Sequence, residues 1–593
     1  MTSAPASPAP EPLGLNTPPA RPAATLRQWA GLVLVLAMAV ALWLPRLSGP
    51  LDLRFDAGVY YVLGTSIANG DGYRILSEPG APEGIQYPPL LPLLVAAHQW
   101  ILGSADPAIV GPWLRVTFAA LFVLYAAAVY QLALGWLPAR WAVTAAVLCL
   151  LSLFTFFLSD LLFTEIPFAL VSVAFVLLAQ RPDAAGHPFR RDSLVFLLGC
   201  AAFFLRSAGL ALFAAWTFEA LVRRRWRAAA VRAGLAVIPF AVWQGHILRV
   251  ERSHAYQQPA YAYQRAPYQF YNVSYGTNLA LKDPFQPELG QAKPLDLIHR
   301  VSTNVVLMPQ AMAESISLQR GYWRSPIGRL QLRLFGSRFL LDPLSWIPVL
   351  ALMGAVCAGI LVLFHRRAWL IGGLIVASVG LVCLTPWPGQ FLRYLAPLTP
   401  FLSIGALLAL HTGTRWVRTR FPAAGKAAAA AVALLLGATV LAQTWYARRL
   451  HQVRHAEGHS YLSREQPTGP RYFFHDDDWR DWERAVEWIR ENAPTDAIVA
   501  TSSPHLLYLR SGRLSVMPPM EADPARALEL LEEVPVSHVI IDQMEFIDIT
   551  RRYALPALQS APERWQVGQE IGGLRIYARV GGEANQAEAT ARE

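Results

Sequence analysis

The sequence predicts an α-helical polytopic membrane protein of about eleven transmembrane helices, carrying a small C-terminal α/β domain. Three observations predict it. Of 593 residues, 54% are hydrophobic and only 16% are charged, against roughly a quarter charged in a soluble chain. The apolar residues gather in blocks of about 17–25, long enough to cross a bilayer as helices, although several blocks are short or interrupted. After residue 445 the pattern changes to short helical and strand-like runs, as in a soluble domain.

In chain order, residues 1–26 are rich in Pro, Ala, Ser and Thr without periodicity, which predicts a disordered cytoplasmic tail. The first apolar block, Gly31 to Leu44, follows Arg21 and Arg27. It is trailed by Pro45-Arg46-Leu47 rather than a small-residue cleavage site, so it reads as an uncleaved signal anchor. The expected spans are 29–45, 113–136, 141–158, 161–179, 193–205, 207–222, 231–249, 343–364, 368–385, 394–411 and 425–444. A transmembrane domain thus covers 27–444, with outer loops at 46–110 and 250–342. An extracytoplasmic α/β domain follows at 445–580, and 581–593 forms a second disordered tail.

Charge sets the expected orientation. The formal net charge is +10, and a basic balance raises the question of nucleic acid. The arginines lie in alternate short loops: Arg140; Arg181, Arg190 and Arg191; Arg223, Arg224, Arg225, Arg227 and Arg232; Arg366 and Arg367; Arg415, Arg418 and Arg420 with Lys426. Membrane topology accounts for them, and no nucleic-acid partner is expected. The positive-inside rule puts these loops and the N-terminus in the cytoplasm and the C-terminal domain outside. The four cysteines, Cys149, Cys200, Cys357 and Cys383, sit in apolar blocks without metal-ligand spacing, so neither a disulfide nor a zinc site is expected.

In the C-terminal region, Asp476, Asp477 and Asp478 precede an amphipathic helix over 479–492, with Trp482, Ala485, Val486 and Ile489 on its apolar face. Residues 497–500 and 536–541 read as buried strands, 504–510 and 523–533 as helices, and 565–571 with 574–580 as a closing strand pair. No Gly-rich phosphate loop follows the first strand, which argues against nucleotide binding there.

The candidate chemistry lies in the loops. Asp56, in Asp52-Leu-Arg54-Phe-Asp56-Ala-Gly-Val-Tyr60-Tyr61, opens an apolar helix that Asn69-Gly70-Asp71-Gly72 ends. A second short apolar helix, 90–102, follows Tyr87-Pro88-Pro89. Both are expected in the interface plane. There Asp56 can take a proton from an acceptor hydroxyl, or it can be an N-cap and nothing more. Asp160 and Glu165 flank the entrance of the fourth span, where ionisable groups tend to line a cavity. Asp160 can equally cap the helix. Arg206 and Arg393, with Tyr394 beside the latter, face outward. A guanidinium fork suits phosphate oxygens, whereas the plainer role is snorkelling to headgroups. Tyr256, Tyr261, Tyr263, Tyr268, Tyr271 and Tyr275 read more readily as an interfacial aromatic belt than as a sugar-stacking wall.

These stretches resemble the bacterial membrane glycosyltransferases of the GT-C class, in the protein-mannosyltransferase and aminoarabinose-transferase groups. The matching motifs are Phe55-Asp56-Ala-Gly-Val-Tyr60-Tyr61, Gly70-Asp71-Gly72-Tyr73, Tyr87-Pro88-Pro89-Leu-Leu-Pro92, Thr164-Glu165-Ile-Pro-Phe168, Leu205-Arg206-Ser-Ala-Gly209-Leu and Arg393-Tyr394-Leu-Ala-Pro397. The tail adds Trp488-Ile489-Arg-Glu-Asn492-Ala-Pro494 and Leu507-Tyr508-Leu-Arg-Ser-Gly512-Arg513. The resemblance implies inverting transfer of a sugar from a polyprenyl-phosphate donor to an extracytoplasmic acceptor, which is a lipid, glycan or protein. Asp56 is then the candidate base, Glu165 and Asp160 are further acidic positions, and Arg393, Arg206 and Tyr394 bind the donor phosphate. No cofactor is certain. A divalent metal stays open, although Ala57 stands where many relatives have a second acid. Gln86-Tyr87 replaces the acid and Lys of aminoarabinose transferases, which argues against transfer to lipid A. Arg206 lacks the usual Pro-containing pair after it. A transporter or a non-catalytic envelope-assembly protein is the alternative. The absence of repeats and the clustering of charge at the outer interface favour the enzyme.

Overall fold

A computed structural model describes residues 25–181, 188–338, 340–456 and 472–580. The two tails expected to be disordered fall outside that range, apart from Thr25 and Leu26. Among the described residues, six helices are long and apolar enough to cross a membrane: Leu26–Arg46, Pro107–Leu134, Trp226–Glu251, Leu341–His365, Pro388–Arg420 and Pro422–Gln452. The shorter apolar helices Ala139–Leu151, Glu165–Ala179, Ser207–Val222 and Trp369–Cys383, with Pro188–Leu205, account for the other expected spans. The chain is a multi-pass membrane protein. Its helices pack through small residues as well as large ones. At Gly359 a Cβ would run into the backbone of Gly405, so the helices Leu341–His365 and Thr399–Arg420 touch backbone to backbone.

Three features differ from expectation. The expected span 161–179 starts as a helix only at Glu165. Residues before it stay out of the helix because Leu161 bridges Asp52 of the first loop, whose carbonyl accepts the Leu162 amide at 3.3 Å. Glu165 therefore occupies the first helical turn, where a carboxylate suits the exposed amides. The helices Ala57–Asn69 and Leu90–Leu102 form as expected, the first ending at Gly70 with φ of 85°. Yet Ala57 to Gly64 are all buried, so the first-loop helix is enclosed rather than half-immersed. Finally, residues 250–342, expected as the second outer loop, contain two helices that their mixed pattern did not signal, Pro294–Ser315 and Arg320–Phe335.

The C-terminal unit is a five-stranded sheet with helices. Its strands are β1 (Ile498–Ala500), β2 (Leu514–Val516), β3 (Val536–Ile541), β4 (Trp565–Ile571) and β5 (Leu574–Arg579), in the order β2-β1-β3-β5-β4. β1 runs parallel to β2 and β3, whereas β5 is antiparallel to both its neighbours. β2 alone was not expected. The helix Asp477–Asn492 is capped by Asp476, whose carboxylate accepts the Trp479 amide at 3.1 Å, and it buries Trp482, Val486 and Ile489.

Candidate active site

The first loop, the start of the helix Glu165–Ala179, and Arg393 meet at one end of the helix bundle. Asp56 sits at the N-cap of Ala57–Asn69, but its side chain makes no capping bond. Arg393 Nη2 donates to its Oδ2 at 2.6 Å, and Arg393 Nε donates to Glu165 Oε1 at 2.7 Å. Arg206 Nη1 reaches the same Glu165 oxygen at 2.5 Å and Thr164 Oγ1 at 3.3 Å. Two carboxylates and two guanidiniums thus form a chain: Asp56, Arg393, Glu165, Arg206. Exposure orders them. Glu165 is 1% exposed, while Asp56, Arg393 and Arg206 are 19%, 17% and 17% exposed. The buried carboxylate anchors both arginines from beneath, and the other three present an accessible face.

Aromatic rings wall this face. Arg393 lies over the Phe163 ring at 4.4 Å and Arg206 over Tyr394 at 5.9 Å. The Tyr394 hydroxyl donates to Gln390 Oε1 at 3.0 Å. Tyr60, one helical turn beyond Asp56 and therefore on the same face, packs on Tyr87 at 4.9 Å, and Tyr87 neighbours Tyr271 at 6.4 Å. Burial, reinforced by the nearby Asp56 and Glu165 charges, raises the Tyr60 phenol above its ordinary value, so it stays a hydrogen-bond donor. Tyr271 in turn meets His505 of the C-terminal unit at 4.4 Å.

Asp160 is placed differently. Its Oδ1 accepts from Arg115 Nη1 at 3.1 Å, and both side chains are fully buried. Arg115 also donates to the Arg46 carbonyl at 2.7 Å and to the Pro50 carbonyl. Asp160 therefore ties the end of the first helix to the third-span exit, and neither caps a helix nor joins the accessible face. The tyrosine run departs from the belt reading as well. Tyr261, Tyr263 and Tyr268 are buried, and the Tyr261 hydroxyl donates to Glu78 Oε2 at 2.9 Å. Asn272 Nδ2 donates to the same oxygen at 2.7 Å. Desolvation raises the Glu78 carboxyl, and these bonds from the second loop offset part of that cost.

Sequence reasoning passed over Tyr60, Arg115 and Arg54. Tyr60 was detectable from its four-residue spacing to Asp56, and Arg54 from its two-residue spacing to Asp52, whereas the partners of Arg115 and the Phe473 and Phe474 carbonyls that Arg54 also reaches are distant in the chain. The residues do not fit a divalent metal. Arg393 lies between the two carboxylates a cation would use, and among the described residues no group of three or more His, Cys, Asp or Glu is placed to hold one.

No protein-family profile matches the chain, and neither does any curated protein sequence. Solved structures do. The chain is similar to ArnT from Cupriavidus metallidurans bound to undecaprenyl phosphate, with a TM-score of 0.52 at 15% identity over 94% of this chain and 99% of that one. The apo state of the same protein gives 0.51 at 15% identity, over 93% and 98%. Archaeal oligosaccharyltransferase AglB from Archaeoglobus fulgidus, in complex with an inhibitory peptide and a dolichol-phosphate, gives 0.50 at 14% identity, over 91% and 72%. At such identities the likeness establishes the fold alone, which this chain shares with those membrane-protein structures.

Proposed function

We propose that the protein is an inverting glycosyltransferase that moves a sugar from a polyprenyl-phosphate donor to an extracytoplasmic acceptor. The observation that carries this reading is the Asp56–Arg393–Glu165–Arg206 chain, which sets an accessible carboxylate beside two accessible guanidiniums. The fold supports it, since the similar ArnT and AglB structures hold undecaprenyl phosphate and dolichol-phosphate. Under this reading the donor phosphate takes the open faces of Arg393 and Arg206. Asp56 exchanges part of its ion pair for the acceptor hydroxyl. The acceptor oxygen attacks the anomeric carbon while its proton passes to Asp56, a contribution of roughly 10²–10⁴ in rate. The bond between the anomeric carbon and the phosphate oxygen breaks, and the polyprenyl phosphate leaves with the electron pair, its charge met by the two arginines. Glu165 holds those arginines in place. The site then faces away from the cytoplasm, in the cytoplasmic membrane, and no nucleotide enters the reaction. The test is direct: the purified protein is offered radiolabelled polyprenyl-phosphate sugars and an envelope extract as acceptor source. Label should move from the donor to an acceptor, and failure across the panel with folded protein overturns the reading.

A further inference from the structure

We propose that the C-terminal α/β unit positions the candidate base, by seating Phe55, the residue immediately before Asp56, between Trp479 and Phe546. The inference rests on the reading of Asp56 as the base. It starts from the backbone. Phe55 has φ of 57°, a left-handed conformation that is uncommon outside glycine and asparagine and persists where surroundings over-determine it. Here the surroundings come from the far end of the chain. The Phe55 ring meets Trp479 edge-on at 5.6 Å and Phe546 at 5.0 Å, and those two rings stack on each other at 5.8 Å with 8° between planes.

The seat has a recognisable place in the C-terminal unit. Trp479 opens the helix Asp477–Asn492, and Phe546 lies in the connection leaving β3. Both stand near the carboxyl ends of β1 and β3, where Ser502 donates to Asp542 at 2.6 Å. That edge is where an open α/β sheet commonly receives a ligand. In this protein it receives a side chain of the first outer loop.

Neighbouring residues are held by the same unit. Arg54 forks onto Asp52, and its Nη2 and Nη1 donate to the carbonyls of Phe473 and Phe474 at 2.6 and 3.1 Å. On the other side of Asp56, a Cβ at Gly58 would come within 3.1 Å of His505 Cβ and 3.3 Å of the Leu506 amide. The C-terminal unit therefore touches residues 54, 55 and 58, bracketing Asp56, while Asp56 itself is left to Arg393. Misplacing a reacting group by about 1 Å can cost on the order of 10²-fold in rate, so a seat of this kind acts on turnover rather than on binding.

The test compares Phe55→Gly, Phe55→Tyr and Phe546→Ala in the full-length protein. Phe546 is 46% exposed, so its loss leaves the fold intact. Phe55→Gly and Phe546→Ala should each lower kcat about 10-fold or more with the donor KM little changed, and Phe55→Tyr should retain activity. The Phe55→Gly/Phe546→Ala double variant should be no worse than Phe55→Gly alone, because Phe55→Gly already removes the ring contact that Phe546→Ala removes. In an Asp56→Asn background Phe55→Gly should add nothing. Independently of activity, hydrogen exchange of residues 52–60 should quicken in Phe546→Ala. Glycine suits the left-handed backbone, so full kcat in Phe55→Gly, additive losses, or unchanged exchange would each overturn the proposal. Faster exchange with no transfer by the wild type would uphold the seat and refute Asp56 as the base.

Discussion

Asp56 occupies an N-cap position and spends its carboxylate elsewhere, on Arg393. That changes what its substitution should do. A capping aspartate loses about 0.5–2 kcal/mol on replacement by alanine, and no capping bond exists here to lose. Replacing Asp56 by asparagine keeps an acceptor oxygen for Arg393, and Arg393 also keeps its bond to Glu165. Asp56→Asn should therefore lower turnover by about 10²-fold or more with little change in melting temperature. Transfer near the wild-type rate in that variant would leave Glu165 as the next candidate base. Glu165 and Asp160 form a second contrast. Each is a buried carboxylate holding arginine, and Glu165→Gln and Asp160→Asn should each destabilise the protein by about 3–5 kcal/mol. Only Glu165→Gln frees guanidiniums that face the site, so only it should raise the donor KM in the fraction that remains folded. An equal KM effect from Asp160→Asn would show that Asp160 also serves the substrate.

At the scale of elements, most of the helices were legible because each needs only a local apolar run and a break. Leu90–Leu102 and the helix from Asp477 were readable to within a residue or two, since caps and glycines mark them. What was not legible depends on distant pairing. β2 is three residues long and is defined by its neighbour β1. The non-helical stretch before Glu165 exists because Leu161 pairs with Asp52. Tyr261, Tyr263 and Tyr268 are buried because their loop folds onto Glu78 of the first loop. Asp56, Glu165, Arg206, Arg393 and Tyr394 could each be singled out in the sequence, but which acid serves which arginine could not. The helix Pro504–Ser511 illustrates the same limit, because it carries His505 into contact with Ser77 and Tyr271 of both outer loops. Burial pushes the His505 imidazole down to about 3. The unfolded chain takes up a proton near pH 6.5 that the folded chain refuses until about pH 3, so stability falls as pH drops through that window. His538, pushed down to about 4, acts with the same sign. The melting temperature should therefore fall between pH 7 and pH 5, and His505→Gln should flatten that fall. Equal pH slopes in variant and wild type would remove His505 as a source of it.

Across the whole molecule, the site and the C-terminal unit occupy one end of the bundle. The helix Trp369–Cys383 leads from the Arg366–Arg367 turn to Arg393, and the first loop reaches both Arg393 and the carbonyls of Phe473 and Phe474. The opposite ends of the helices carry Arg140, Arg223 to Arg225, Arg366 and Arg367, and Arg418 with Arg420. One segment runs against a simple charge rule. The helix Arg320–Phe335 holds Arg320, Arg324, Arg329 and Arg333, and it lies on the site end, joined to the start of Leu341–His365. There Arg320 and Arg324 pair with Asp342, Arg320 lies over Trp346, and Arg329 lies over Trp445. Orientation is set by arginines in short loops next to span ends, whereas long translocated segments carry charge without much effect. In the proposed orientation the second long loop is such a segment, so its arginines should not reverse the topology. Reporter fusions truncated after Asn492 should then report a non-cytoplasmic location, and fusions in the Arg366–Arg367 turn a cytoplasmic one. The pair must disagree in that sense. A cytoplasmic signal after Asn492 would put Asp56, Arg393 and the C-terminal unit on the inner face, where a sugar nucleotide rather than a lipid-linked sugar would be the accessible donor.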